Sequence, residues 1–286
     1  MVFSAIQNGL RLSWKSRKIL LLFCSFNLLT AVFFLRPYFT AFNTFFSKRL
    51  VTYILAQDNI YTYYSEFYHY MKYAVLASSQ VIFIGGLLHF FISIILSGGL
   101  IYYFLCDEAV NLRTFFSQSG RFAGRMLRLV ILSVVIFAAF LFACLLLFLP
   151  LKLIIPSGSA ENIYFFVYAA WITLSVNVLL VALLLIDLTR IHIVEHESKS
   201  VVISFFESLN LFTRHYWEFT FAFIIIFIIG LVVFILFWWL QDFITDTNVC
   251  GIIAGFILLQ LFVFAQYWVK FSRFGALVNI TKQTDL

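Results

Sequence analysis

The sequence is poor in charge, in proline and in cysteine, and each of these shortages excludes a kind of protein. Charged residues make up 11% of the 286 residues and hydrophobic residues 63%, which leaves too little polar surface for a water-soluble fold of this length. The four cysteines share no spacing, so they are expected to be free thiols, without a disulfide framework or a CxxC metal site. A phosphate-binding loop, a GxSxG motif and paired catalytic carboxylates are also missing. Nothing in the sequence supports an enzymatic function, and no cofactor is expected.

Long apolar runs dominate what remains. Six of them are long enough for a helix to cross a hydrocarbon core of about 30 Å, and the predicted spans are about 19–35, 75–105, 129–155, 163–188, 219–240 and 249–269. The three prolines lie at or beyond the ends of these runs, so each span can satisfy its backbone hydrogen bonds internally, as lipid requires. The sequence predicts an all-α integral membrane protein with six transmembrane helices in one polytopic domain, 1–286.

Basic residues mark one side of the membrane. The N-terminal segment and the connectors 106–128 and 190–216 hold four, four and three Lys or Arg residues, whereas the loops 150–162 and 241–248 hold one between them. The positive-inside rule places both termini on the cytoplasmic side, in a bacterial-type inner (cell) membrane. The first apolar run ends at Arg36-Pro37 without a small-x-small cleavage site, so it is expected to be a retained anchor.

Three segments of the chain share a design. A basic amphipathic stretch leads into each odd-numbered span, at 8–18, 120–128 and 210–217, and a polar stretch follows each even-numbered span, at 106–108, 187–190 and 270–273. The predicted unit is an interfacial helix followed by a helical hairpin. It occurs three times, over about 1–106, 107–195 and 196–286.

The amphipathic stretches predict contact with lipid. In the second stretch, Phe115, Phe122 and Met126 recur at helical spacing among arginines. Such a helix is expected to lie in the headgroup layer with its rings toward the acyl chains. The candidates for contact with anionic lipid are Arg121, Arg125, Arg128 and Arg214. The alternative is that these helices simply cap the bundle.

With these stretches the chain resembles bacterial six-span membrane families of unknown function that are built from repeated hairpins. They include the membrane domain fused to some glycerophosphodiester phosphodiesterases. The resemblance covers the topology and the three stretches, and the soluble phosphodiesterase domain is not expected here. It implies a polytopic membrane protein and carries over no functional residue.

The loop after the first span is rich in tyrosine. Residues 38–74 hold eight tyrosines, and the first half has the spacing of an amphipathic helix on the outer leaflet. Tyrosine favours the membrane interface because its ring can lie in the acyl region while its hydroxyl stays wet. The loop is interpreted as an interfacial anchor or as a docking surface for a partner or lipid.

Small residues within the spans indicate close helix packing. Gly251 and Gly255 form a GxxxG motif, and Ser93 and Ser97 precede a pair of glycines. Such residues let helix backbones approach where no hydrophobic drive exists between helices. They predict packing inside the bundle, with self-association as the alternative.

Two ionisable residues fall within or near predicted spans, where such groups are expensive and often functional. Asp187 is expected to pair with Arg190, three residues further along the helix. His89 is expected to be neutral and hydrogen-bonded to Ser93. The alternative is that both residues line a transport path with Gln260 and Gln266.

The string from His192 to His196, with Glu195, matches the HxxEH signature of a zinc protease. Two imidazoles one turn apart can share a zinc ion, with the glutamate as base. A third ligand could come only from Glu207 or Glu218 in the same connector, so the string is interpreted as a solvated helix face without metal.

The sequence thus predicts a non-enzymatic inner-membrane protein that acts as a scaffold or accessory subunit. Its expected partners are the lipid bilayer, mainly anionic lipids, and a membrane protein or a second copy, with no nucleic acid. The alternatives are a small transporter or channel component and, more distantly, a zinc-dependent membrane protease.

Overall fold

The structure is a computed structural model, and it describes residues 2–47, 65, 68–69, 71–106, 111–154, 161–244 and 249–284. The elements formed by these residues are eight α-helices, and no strand occurs among them. The helices are α1 (Val2–Lys15), α2 (Arg17–Ser47), α3 (Lys72–Leu105), α4 (Leu112–Ile154), α5 (Glu161–Glu195), α6 (Val201–Arg214), α7 (Tyr216–Gln241) and α8 (Val249–Thr284).

Six of the eight helices are long and apolar enough to cross a membrane. The candidate spans are Arg17–Ala41, Lys72–Leu105, Leu112–Leu146, Phe165–Glu195, Tyr216–Gln241 and Ile253–Thr284. They correspond one to one with the six predicted spans, so the all-α class and the six span-like helices are confirmed.

Two details of the predicted helices are wrong. The first span does not stop at Arg36-Pro37, because α2 continues through Pro37 to Ser47. A proline inside a helix removes one backbone hydrogen bond, and the apolar residues on both sides keep the helix continuous. The second amphipathic stretch is not a separate helix either, because α4 runs from Leu112 to Ile154 without a break. The first stretch, 8–18, covers the end of α1 and the start of α2, and the third, 210–217, covers the end of α6 and the start of α7. Their role as interfacial helices stays a prediction.

The chain divides into two compact units. Unit 1 contains residues 1–20 and 94–286, and unit 2 contains residues 21–93. The borders of the three predicted repeats fall at the ends of α3 and α5, and the threefold repeat itself stays a prediction.

Unit 1 has a dense core at one end of its long helices. We call this core the packed layer, and it consists of residues 5–20, 94–105, 115–129, 182–194, 201–212, 219–226 and 271–281. Its largest fully buried side chains include Phe115, Phe122, Phe219, Phe271 and Phe274. Within the packed layer the buried positions of α4 are 115, 119, 122, 126 and 129, a spacing of four and three that places them on one helical face.

Helix α1 joins the packed layer through its glycine. A Cβ atom at Gly9 would lie 2.6 Å from the backbone nitrogen of Ala276 and 2.7 Å from the carbonyl oxygen of Ser272 on α8. Only glycine allows the two backbones to approach this closely. Ser13 and Ser272 are hydrogen-bonded beside this contact, with 2.9 Å between their Oγ atoms.

The other ends of the unit 1 helices are open. We call residues 131–146, 165–179, 227–244 and 253–261 the open half. Most of their large apolar side chains are exposed, including Ile131, Phe142, Phe165, Phe166, Trp238, Trp239 and Leu261. In water such a surface would be unfavourable, whereas hydrocarbon solvates it well.

Unit 2 is a helical pair formed by α2 and the first part of α3. Gly85 on α3 lies against the ring of Phe34 on α2, and the ring of Phe26 stacks on His89 with 5.2 Å between centroids. Most of the predicted tyrosine-rich loop lies outside the described residues.

Candidate functional site

Asp187 is at the centre of a buried ionic cluster between α5 and α8. Its side chain is 3% exposed. Arg190 Nη1 donates a hydrogen bond to Asp187 Oδ1 at 2.9 Å, so the expected pair along α5 is present. Arg273 of α8 adds a second ion pair, with Nη2 at 2.8 Å from Asp187 Oδ2. The carboxylate therefore joins two helices as well as neutralising a neighbour on its own helix.

The cluster contains more positive than negative charge. Lys270, one turn before Arg273, interacts electrostatically with Arg190, Arg273 and Asp187. Three cations thus surround one carboxylate. The Nε atoms of Arg190 and Arg273 are buried and have no hydrogen-bond partner among the described residues. Buried cations are costly unless their charge and their donors are satisfied, so this cluster favours an additional anionic group.

Aromatic rings hold Arg273 in place. Its guanidinium carbon lies 5.2 Å from the ring centroid of Phe223 on α7 and 5.8 Å from that of Phe274. Contacts of this kind attract a cation to the ring face. They connect α7 to the cluster between α5 and α8.

A groove between α7 and α8 opens beside the cluster. It has a volume of about 620 Å³, and its wall is mainly apolar, with Ile226, Gly230 and Phe234 on α7 and Phe262 on α8. Lys270 and Arg273 lie at one end of it. The groove therefore combines a long hydrocarbon surface with a cationic end.

The lipid-facing arginine candidates differ in their surroundings. Arg121 forms an ion pair with Glu197, and Arg125 is half-buried with its guanidinium 5.4 Å from the ring of Phe122. Arg128 and Arg214 are exposed. Of the four candidates, these last two present a charge that no carboxylate of the described residues neutralises.

The rings that accompany these arginines do not face lipid as expected. Phe115, Phe122, Met126 and Leu129 are buried in the packed layer, where Phe122 and Met126 contact the backbone position of Gly98 on α3. An apolar stripe covers another helix as readily as it covers acyl chains, and here it covers a helix. Only Phe116, off the buried face, is exposed.

His89 and Ser93 do not form the expected hydrogen bond. Ser93 Oγ is buried and has no hydrogen-bond partner among the described residues, while the His89 ring stacks on Phe26. His89 belongs to unit 2 and Asp187 to unit 1.

The two histidines of the HxxEH string lie at the end of α5. Their rings stack face to face, with 4.2 Å between centroids and 7° between planes, and His192 Nε2 lies 3.4 Å from Glu207 Oε2. Within the part of the chain that the structure describes, no group of three His, Cys, Asp or Glu residues could hold a metal ion.

The small residues have unequal roles. Ser97 is buried beside Gly98 and Gly99, and a Cβ at Gly99 would collide with Ser119 of α4. Gly255 lines a shallow groove against α7, and Gly251 is only partly buried. Gly9 and Gly275 mark a close approach between the backbones of α1 and α8, which the GxxxG pattern did not indicate.

Sequence reasoning missed Lys270, Arg273 and the groove. The signal for the first two was present in the polar exits of spans four and six, which carry opposite charges at Asp187 and Arg273. Pairing these exits would have predicted the ion pair. The groove depends on the contact of α7 with α8, which no local pattern specifies.

Comparison of the chain with protein-family models, with curated proteins and with solved structures gave no match. The class of the protein follows from its own features, which are the six span-like helices and the exposed apolar surface of the open half. It is an all-helical, multi-pass membrane protein. The resemblance based on the repeated stretches stays a prediction.

Proposed function

We propose that the protein is a non-enzymatic scaffold or accessory subunit of a bacterial-type inner membrane, with both ends on the cytoplasmic side. In this role the packed layer lies at the cytoplasmic surface and contacts anionic lipid. The open half lies in the hydrocarbon, where it is available to lipid or to a membrane partner.

One observation carries this proposal, and it is the excess of exposed cations on the packed layer and its borders. Among the described residues there, the exposed acids are Glu197 and Glu207, and the exposed basic residues are Arg11, Lys15, Arg17, Lys18, Arg113, Arg121, Arg128, Lys199 and Arg214. Each basic residue near an anionic leaflet contributes about 1 kcal/mol of attraction. The length of α4 supports the same placement, because 43 residues extend about 65 Å, roughly twice the hydrocarbon thickness.

Anionic lipid should therefore stabilise the protein through these side chains. The test compares the wild type with the double variant R128Q/R214Q in nanodiscs with and without anionic lipid. The gain in melting temperature caused by anionic lipid should shrink in the variant. R121Q is the matched control, because Glu197 already neutralises Arg121 and its loss should matter less. An equal gain for the wild type and the double variant would contradict the proposal.

The orientation has its own test. Single cysteines at positions 158, 200, 246 and 283, in a cysteine-free background, are treated with a membrane-impermeant thiol reagent on intact cells. Positions 158 and 246 should be labelled and positions 200 and 283 protected, since the basic connectors stay inside. Labelling at position 200 without labelling at position 158 would show that the protein has the opposite orientation in the membrane. Affinity purification in mild detergent would then identify the partner.

A small transporter is the second candidate, and the buried carboxylate of Asp187 favours it. Ionisable groups within spans commonly mark ion or substrate paths. Solute flux in proteoliposomes that is lost in Asp187→Asn, with the fold retained, would support transport over the scaffold.

A further inference from the structure

We infer that the groove between α7 and α8 is a binding site for one anionic phospholipid. Its acyl chain would lie along the apolar wall and its phosphate at the Lys270 end. This site goes beyond the diffuse surface attraction proposed above, because it is saturable and takes one lipid per protein.

The shape of the groove suits an acyl chain. From Phe262 to Arg273 the α8 wall spans twelve residues, or about 16 Å, and the opposite wall is formed by Ile226, Gly230 and Phe234. Gly230 has no side chain to fill the groove, and among the described residues a Cβ there would contact Val269 Cγ1, at 3.3 Å. An apolar groove of this length and volume can take a hydrocarbon chain.

The charge at one end suits a phosphate. Arg273 is committed to Asp187 through its Nη2 atom, but none of the ion pairs between described residues involves Lys270. Lys270, which is half-buried, and Arg273 both line the groove, and the buried Nε of Arg273 lacks a hydrogen-bond partner among the described residues. With one carboxylate for three cations, an incoming phosphate would complete the neutralisation of the cluster.

Polar groups beside the cations provide further hydrogen-bonding partners for a lipid headgroup. Gln266 and Tyr267 line the groove one turn before Lys270 and can hydrogen-bond to the glycerol or ester oxygens of a lipid. A free phosphate would use the cations alone and leave the apolar wall uncovered. The combination of wall and cations therefore selects a lipid over a soluble anion.

The test uses the full chain, purified in detergent and titrated with phosphatidylglycerol or with phosphatidylcholine of the same acyl chains. Native mass spectrometry counts the bound lipids. Phosphatidylglycerol should form a one-to-one complex that saturates, and Lys270→Gln should weaken it about five-fold, the equivalent of about 1 kcal/mol for one basic residue. Lys270→Arg should retain the affinity, and Lys199→Gln, at an exposed lysine outside the groove, should change nothing.

A second variant tests whether the acyl chain of the lipid lies in the groove. Gly230→Phe places a ring inside the groove and should abolish binding of both lipids, with the melting temperature recorded to show that the protein is folded. If this variant does not fold, the three lysine variants still decide the outcome, because Lys270 takes part in no ion pair of the described residues and its replacement leaves the helices intact.

Three results would overturn the inference. The first is equal affinity for the two lipids together with no effect of Lys270→Gln. The second is competition by glycerol 3-phosphate or inorganic phosphate as strong as that of the lipid, which would identify a soluble anion as the occupant. The third is occupation of the groove by a second copy of the chain, seen as a dimer that lipid does not displace. The variant R128Q/R214Q should keep the one-to-one complex, so failure of the surface proposal is distinguishable from failure of this site.

Discussion

The two ends of α4 have the same helical backbone and opposite surroundings. In the packed layer its residues 115–129 place a stripe of rings against α3, whereas in the open half most of the large side chains of residues 131–146 are exposed and only Ile136 among them is buried. Hydrophobic residues are seven of the fifteen in 115–129 and fifteen of the sixteen in 131–146. The end with fewer apolar side chains is thus the packed one, so the abundance of hydrophobic residues does not explain the difference. The difference in burial follows from the residues on neighbouring helices, because serines and glycines there permit close packing in the packed layer. The side-chain packing that fixes the structure of unit 1 is therefore in the packed layer, whereas the open half needs lipid or a partner to cover its apolar side chains.

The largest effect is expected from Asp187→Asn, which removes the charge that joins α5 to α8. Arg190 and Arg273 would then remain buried without a counter-charge, at a cost of about 3–5 kcal/mol. The measurement is thermal or denaturant unfolding in detergent. Asp242→Asn, at an exposed carboxylate next to the end of α7, is the matched control and should be neutral. The double variant D187N/R273Q should recover part of the loss, since it removes one cation with the anion; a loss equal to the sum of the two single changes would show that Arg273 is not coupled to Asp187.

A pair of identical substitutions on α4 tests the two ends directly. Phe122 is fully buried and Phe142 is 62% exposed. Phe122→Ala should destabilise the protein by about 3 kcal/mol, the lower end for a buried ring because the flexible Met126 beside it can fill part of the cavity. Phe142→Ala should change stability by less than about 0.5 kcal/mol. Similar losses at both positions would mean that the open half is packed against a partner in the tested preparation.

Gly9→Ala tests the contact between α1 and α8. Alanine favours a helix over glycine by about 1 kcal/mol, but a Cβ here would lie 2.6 Å from a backbone atom of Ala276, and the net loss should be about 1–2 kcal/mol. Gly124→Ala on α4 is the control, because no atom of the described residues beyond its own helix backbone lies within 4 Å of its Cβ position. It should be neutral or slightly stabilising. If Gly9→Ala stabilises as much as Gly124→Ala, α1 does not pack on α8 through this glycine.

The smallest effect is expected for His196→Ala, at the exposed end of α5. It removes one ring of a stacked pair and should cost less than about 1 kcal/mol. The zinc content of the purified protein should be the same before and after the change. Stoichiometric zinc in the wild-type protein that is lost in this variant and in His192→Ala would instead support the zinc-protease alternative.

Sequence reasoning was most successful where the relevant interactions are local. The six span-like helices follow from runs of apolar residues, and the pair of Asp187 with Arg190 follows from a spacing of three on one helix. It failed where distant segments meet. Arg273 is 86 residues beyond Asp187, counted from their numbers, and Gly9 is brought to Gly275 only by the tertiary fold. The burial of Phe115 and Phe122 was also not predictable, because an amphipathic stripe has the same pattern whether it faces acyl chains or another helix.

The hydrogen bond between Ser13 and Ser272 has a consequence for biosynthesis. The two serines are separated by 259 residues, and a ribosome adds about 5–20 residues per second. Roughly 13–50 s therefore pass between the synthesis of α1 and that of the surface it covers on α8. During that interval the surface of α8 that α1 covers in the finished protein does not yet exist. The bilayer surface can hold such an amphipathic helix, so we expect α1 to move from lipid to α8 late in assembly.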